Sequence, residues 1–363
     1  MKIKDLRQHM ILPKKEYIIN KRVNIKGLDV LILSFTIEEG KNRLWLMYED
    51  KEIHTEYTGS EFLEDIDCNC GEDLGTNRQE FLRNIEENKN SKHLFIKEME
   101  IQGHTVRFGS SSGGRIYYTN WEANMKLNHF IEKGLIPKEW DEMEIENLVI
   151  YEHEQMEGEA APDIDESKEL SIEVHIDRSS REIAIEKPFK VRFGKQLVGE
   201  KISYYDPILE RENYFFIDEI YSFDPYEDIL EKSQKIEDTE MREDMIKHFN
   251  EALENLCPRG KNLAIIKYEN EDNTQFRFMT KDYLDAKPIR RRGPSAIGFI
   301  GVIRSSRDMG INGYKPRECI LQSIDKDFDG ELEIELFSRY HEIPEETVRV
   351  IINGDSPGLL KKS

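Results

Sequence analysis

Residues 29–48 read Asp29-Val30-Leu31-Ile32-Leu33-Ser34-Phe35-Thr36-Ile37, then Glu38-Glu39-Gly40-Lys41, then Asn42-Arg43-Leu44-Trp45-Leu46-Met47-Tyr48. Both flanks are rich in β-branched and aromatic residues, which fit a pleated and largely buried surface. The four residues between them are polar and include a glycine. A connection this short predicts an antiparallel hairpin.

The same signature recurs along the chain. His93–Gln102 and Thr105–Phe108 read as strands joined at Gly103, with another at Arg115–Tyr118. From Leu170 the period is two: Leu170, Ile172, Val174 and Ile176 alternate with Ser171, Glu173, His175 and Asp177. A turn at 177–181 then predicts a return strand through Ile183 and Ile185. Tyr214–Tyr221 is a further strand. Leu263–Tyr268 and Gln275–Met279 suggest a hairpin around Glu271-Asp272-Asn273. Later strands are expected at 296–303, 318–324, 331–337 and 348–352.

Helices come singly between these strands. Thr76-Asn77-Arg78-Gln79 and Thr119-Asn120-Trp121-Glu122 have the form of capping boxes. The first predicts a helix over 77–88. The second predicts one with Trp121, Met125, Phe130 and Ile131 inward, ended by Gly134. Asp224-Pro225-Tyr226-Glu227 starts a helical region that runs to Leu256, with a break near Asp238-Thr239 and an apolar stripe of Met241, Met245, Phe249, Leu253 and Leu256. There is no strict βαβ alternation. The expected class is therefore α+β, with mainly antiparallel sheets and a few packed helices.

The chain has 363 residues, and single cores stop growing at roughly 250–300 residues, so two domains are expected. Residues 152–167 are poor in apolar side chains and rich in acids, which marks a linker or exposed loop. The expected division is an N-terminal domain over 1–151 and a β-rich C-terminal domain over 168–363.

Charged residues make up 34% of the chain, above the usual quarter, and the net charge is −21; this argues against a membrane-embedded fold. Charges within Met1–His9 interrupt any signal-peptide core. The apolar runs, such as Val30–Leu33, are strand-sized. Four cysteines fit a reducing compartment. The expectation is a cytoplasmic protein without a membrane span. Cys68 and Cys70 form a single Cys-x-Cys pair, whereas zinc sites usually show two pairs. No motif calls for a cofactor.

Charge is segregated. Lys287, Arg290, Arg291, Arg292, Arg304, Arg307, Lys315 and Arg317 face one anion, Asp308, within 31 residues of an otherwise acidic chain. Arginine forks suit phosphate or carboxylate. This island predicts a surface that binds a protein or a small anionic ligand without catalysis. The competing class is an enzyme acting on a phosphate-containing, nucleotide-like substrate, with the same arginines as a clamp. The bland alternative is a loop whose arginines pair with the chain's own carboxylates. Duplex nucleic acid is disfavoured, because the remaining acidic surface would repel flanking phosphates.

Three further stretches have functional readings. Gly109-Ser110-Ser111-Ser112-Gly113-Gly114, flanked by His104, Arg107 and Arg115, is read as a flexible hairpin loop or an anion nest. Asp325, Asp327 and Asp329 before Gly330 match the first half of a calcium loop, but Leu336 stands where the closing acid belongs; a hairpin turn is the simpler reading. In Tyr151-Glu152-His153-Glu154 the flanking acids favour a charged histidine.

Overall fold

The computed structural model describes residues 2–50, 75–88, 94–165, 167–288 and 309–352. In chain order its elements are α1 (Ile3–His9), β1 (Lys15–Ile25), β2 (Leu28–Ile37), β3 (Asn42–Glu49), α2 (Asn77–Asn88), β4 (Ile96–Ile101), β5 (His104–Arg115), α3 (Trp121–Glu132), β6 (Leu148–Gln155), β7 (Leu170–Ile176), β8 (Ser179–Arg192), β9 (Gly194–Lys195), β10 (Lys201–Asp206), β11 (Arg211–Phe223), α4 (Pro225–Ser233), α5 (Thr239–Leu256), β12 (Lys261–Asn270), β13 (Phe276–Thr280), α6 (Lys281–Asp285), β14 (Pro316–Asp325), β15 (Glu331–Ile343) and β16 (Glu346–Ile352). The fold is mostly antiparallel β-sheet with single helices, as the strand-rich sequence predicts.

Two compact units account for these elements. The first spans Met1–Cys70, Lys92–Ser179 and Ile343–Ser363; the second spans Gly71–Ser91 and Ser180–Glu342. The sequence reading divides the chain once, at 152–167, whereas these units interleave. Glu152–Gln155, assigned to the linker by composition, belong to β6.

The first unit is an eight-stranded antiparallel sheet in the order β1-β2-β3-β6-β5-β4-β7-β16. The expected hairpin pairs Val30 with Tyr48 and Ile37 with Asn42. The Lys26-Gly27 turn (φ 49° and 79°) folds β1 back onto β2. The sheet nearly closes on itself: the Lys26 amide, just past β1, donates to Glu346 of β16 at 2.7 Å. Ile32, Phe35, Leu44, Leu46, Met99, Val106, Ile172 and Val174 fill one face. In β7 the even positions are buried and the odd ones partly exposed, as the alternation predicts.

The opposite face of β2, β3 and β6 carries Leu31, Leu33, Trp45, Met47 and Ile150. It packs against Ala123, Leu127 and Phe130 of α3. Burial on both faces explains why β2 reads as an unbroken apolar run. Two details of α3 differ from expectation. Its cap is Asn120, whose side chain accepts from the Ala123 amide at 3.1 Å. Trp121 and Ile131, expected inward, are 43% and 53% exposed; the helix turns its 123–127–130 face to the sheet, and Trp121 packs edge-on to His9 instead.

In the second unit one sheet runs β10-β11-β12-β14 with β9 beside β11, and another runs β13-β15-β8. Both contribute to one core that includes Tyr204, Phe215, Ile266, Tyr268, Phe276, Phe278 and Leu336. Asp224 caps α4 with Pro225 at its first position, as expected, and at the expected break a new helix, α5, starts under an Asp238 cap. Of the α5 stripe, Leu253 is buried but Met241 and Leu256 are exposed.

Three expected hairpins are absent. β7 pairs with β4 and β16 rather than β8. β12 pairs with β11 and β14 rather than β13. The Asp325–Gly330 turn joins β14 to β15, which lie in different sheets. In each case a short polar turn carries the chain to another sheet, and a turn sequence does not encode which. The Gly-Ser run is not a loop: Ser110 to Arg115 pair with β6 as strand. No helix among the described residues is long and apolar enough to cross a membrane.

A polar cleft beside α3

Strand alternation sends Arg43, Trp45 and Met47 to the face that α3 covers. There Trp45 is fully buried, and its indole N–H donates to Thr36 Oγ1 at 2.9 Å. The Arg43 guanidinium lies 4.6 Å over the Trp45 ring, and the Lys126 ammonium lies 5.7 Å from it. Burying an arginine is unfavourable unless its donors are met. Arg43, 2% exposed, meets them with Glu38, through Nε at 2.9 Å and Nη2 at 2.6 Å, and with Glu152 at 2.8 Å.

Glu152 joins this pair to the surface. It accepts from Ser112 Oγ at 2.8 Å, and Lys126 Nζ stands 3.4 Å away. Lys126 also reaches Glu122 at 3.4 Å, and Glu122 meets His9 Nδ1 at 3.1 Å. Burial pushes the Glu152 carboxyl up, but Lys126, Arg43 and Ser112 outweigh it and hold the group below the usual carboxylate range. Glu122 shows the same balance, with His9 and Lys126 overcoming its burial. Both carboxylates are charged at neutral pH.

Ser112, Glu122, Lys126 and Glu152 line a cleft of about 230 Å³ between the start of α3 and strands β5 and β6. Its far wall includes Arg115, which donates to Asp50 at 2.5 Å and to the Glu146 carbonyl at 3.1 Å. The β5 wall comes unusually close to β6 at Gly113. A Cβ there would stand 2.3 Å from the Ile150 carbonyl oxygen and 2.7 Å from Tyr151 Cα. Only glycine lets the two backbones approach this way.

Comparison with family models, with curated proteins and with solved structures gave no match.

The predicted site residues separate into three groups. Ser112 and Arg115 line the cleft, while Ser110 and Ser111 are exposed on the same strand. His104 starts β5 in solvent, and Arg107 pairs with Glu159 at 3.3 Å. Of the basic island, Arg290, Arg291, Arg292, Arg304 and Arg307 lie outside the described residues, as do the expected strand 296–303 and Cys68 and Cys70. Lys315 is exposed, and Arg317 Nε donates to Asn273 Oδ1 at 2.9 Å. Asp325, Asp327 and Asp329 are exposed. Among the described residues, a group of three carboxylate and imidazole side chains that could share one ion is formed instead by Glu100, Glu173 and His175.

His153 corrects its expectation. It is fully buried, neither ring nitrogen has a partner, and burial pushes its pKa down to about 4 against the pull of Glu152. The imidazole is neutral because desolvation outweighs the adjacent charge. Lys126, Glu122 and Arg43 were absent from the predicted sites, and Glu152 entered only as a neighbour of His153. Leu148–Gln155 shows no apolar–polar alternation; only the strand geometry of β6, which puts Leu148 and Ile150 on the α3 side and Val149 and Tyr151 on the other, places Glu152 on the Trp45 side of the sheet, opposite in facing to His153.

Proposed function

We propose that the protein is a non-catalytic binding protein whose cleft beside α3 takes a small polar molecule carrying both charge signs. One observation supports this above others: Arg115 and Lys126 line the same cleft as Glu122 and Glu152, and all four are fixed by ion pairs before any ligand arrives. Such preorganisation lowers the cost of ordering on binding. The size suits a molecule below the drug-sized range of roughly 300–1,000 Å³, of the amino-acid class. A cleft with balanced charge selects against a simple anion, because Glu122 and Glu152 repel it. Carboxylates held below their usual range are also weak general bases, which favours binding over acid–base chemistry at this place.

The reading keeps the chain cytoplasmic, supported by its cysteine content and charge, and takes the two compact units as two domains. The anion-binding surface around Arg290–Arg317 is the alternative, supported by its charge alone.

Calorimetric titration with L-serine, L-glutamate and L-lysine, and with inorganic phosphate and an alkylammonium ion as single-sign controls, tests the proposal. Binding of a zwitterion that drops at least tenfold in both Lys126→Ala and Glu152→Gln is the expected result. Binding of phosphate alone, unchanged in Lys126→Ala, would remove the cleft and favour the arginine-rich surface.

A further inference from the structure

The outward face of β4 and β7 sets Glu100 opposite Glu173 and Glu98 opposite His175. Like charges directly opposed across two strands are destabilising, so the Glu100–Glu173 pair asks for a cation. Arg349 supplies part of one, with Nε 3.2 Å from Glu173 Oε1. Glu100 has no ion-pair partner among the described residues.

His175 adds a second, independent feature. Its Nδ1 lies 3.0 Å from Thr347 Oγ1 on β16. Its Nε2 is shielded from water and has no hydrogen-bond partner. With the proton on Nδ1 and given to Thr347, a bare lone pair is left on Nε2. An imidazole oriented by an outer hydrogen bond on one nitrogen and open on the other is how histidine presents itself to a metal. One ligand atom each from Glu100, Glu173 and His175 lies within 4.8 Å of the other two. Atoms bound to one zinc at about 2.0–2.2 Å are at most about 4.4 Å apart, so a small rotation of the surface carboxylates closes the set.

We propose that Glu100, Glu173 and His175 form a surface site for a divalent first-row transition ion of the zinc class, with water completing the coordination. One imidazole and two carboxylates suit such an ion better than magnesium, which prefers all-oxygen, octahedral surroundings. Thr347 holds the ring, and Arg349 competes with the metal for one oxygen of Glu173. The site is separate from the α3 cleft and stands or falls without it.

Titration of the full chain with zinc chloride, read by calorimetry and by the His175 ring resonances, is the test. One equivalent bound, with His175 shifting on zinc but not on magnesium, is expected. His175→Ala and Glu100→Gln should each weaken binding at least tenfold, and Thr347→Ala about tenfold through the lost outer bond. Arg349→Ala should tighten it. Glu100 is exposed, so its variant tests the site without risk to the core. No zinc uptake, uptake undiminished in Glu100→Gln and His175→Ala, or equal binding of magnesium would overturn the proposal.

Discussion

Asp218 and Glu269 meet where β11 bulges against β12, and a single amide, Asn312 Nδ2, donates to both, at 3.1 and 3.4 Å. Glu269 is fully buried and Asp218 is 4% exposed. Glu269 also accepts the backbone N–H groups of Asn312 at 2.9 Å and Tyr314 at 2.7 Å. Asp218 Oδ2 has no donor aimed at it, which suits an oxygen that carries a proton.

This arrangement predicts a pH dependence. Burial, then Glu269, pushes the Asp218 pKa up to about 7. The unfolded group releases its proton near 4. Between those values the folded state binds more protons, so stability falls as pH rises through that window and levels off above 7. The slope from this group is at most about 1.4 kcal/mol per pH unit. Urea unfolding from pH 4 to 8 checks it: Asp218→Asn should flatten the curve relative to wild type. An unchanged slope would place the proton elsewhere.

The two glycines of the cleft wall should behave oppositely. Gly113→Ala pushes a methyl group into the β6 backbone, with a destabilisation of about 1–3 kcal/mol typical of overpacking. Gly114→Ala meets open space and should stay within about 0.5 kcal/mol. Chemical denaturation of the two variants makes the comparison.

Removing Arg43 should be among the costlier single changes on this face. Arg43→Ala leaves Glu38 buried without its counter-charge, at a cost of about 3–5 kcal/mol. Arg43→Met with Glu38→Gln should recover much of that loss. A double-mutant cycle at these positions measures the coupling.

The facing of α3 is equally open to test. Phe130 is fully buried, and Phe130→Ala should lose about 3–5 kcal/mol. Trp121→Ala, which removes a half-exposed ring, should lose far less. Comparable losses for the two variants in thermal or urea unfolding would restore the face that helical spacing alone suggests, which buries both Trp121 and Phe130.

The elements were legible in the sequence wherever a local signal was sufficient. The 29–48 hairpin, the β7 alternation and the α4 cap rest on neighbours within a few residues. β6 was hidden because its second half is polar, so composition read Glu152–Gln155 as linker although the strand continues through it. The site was less legible for the same reason. Ser112 and Arg115 were noticed for their loop-like run, but the residues that line the cleft with them, Lys126, Glu122 and Glu152, are charged residues among 125 acidic and basic ones.

Local chemistry, then, was enough to say where backbone extends, coils and turns, because alternation, caps and glycine turns act over one or two residues of contact. Strand partners were decided only by the folded chain: β7 with β16 rather than β8, and β12 with β14 rather than β13. Those choices depend on which apolar faces find each other across long stretches of chain. The same long-range pairing brings Ser112, Lys126 and Glu152 to one cleft, and it lets desolvation keep His153 neutral despite the acids on either side.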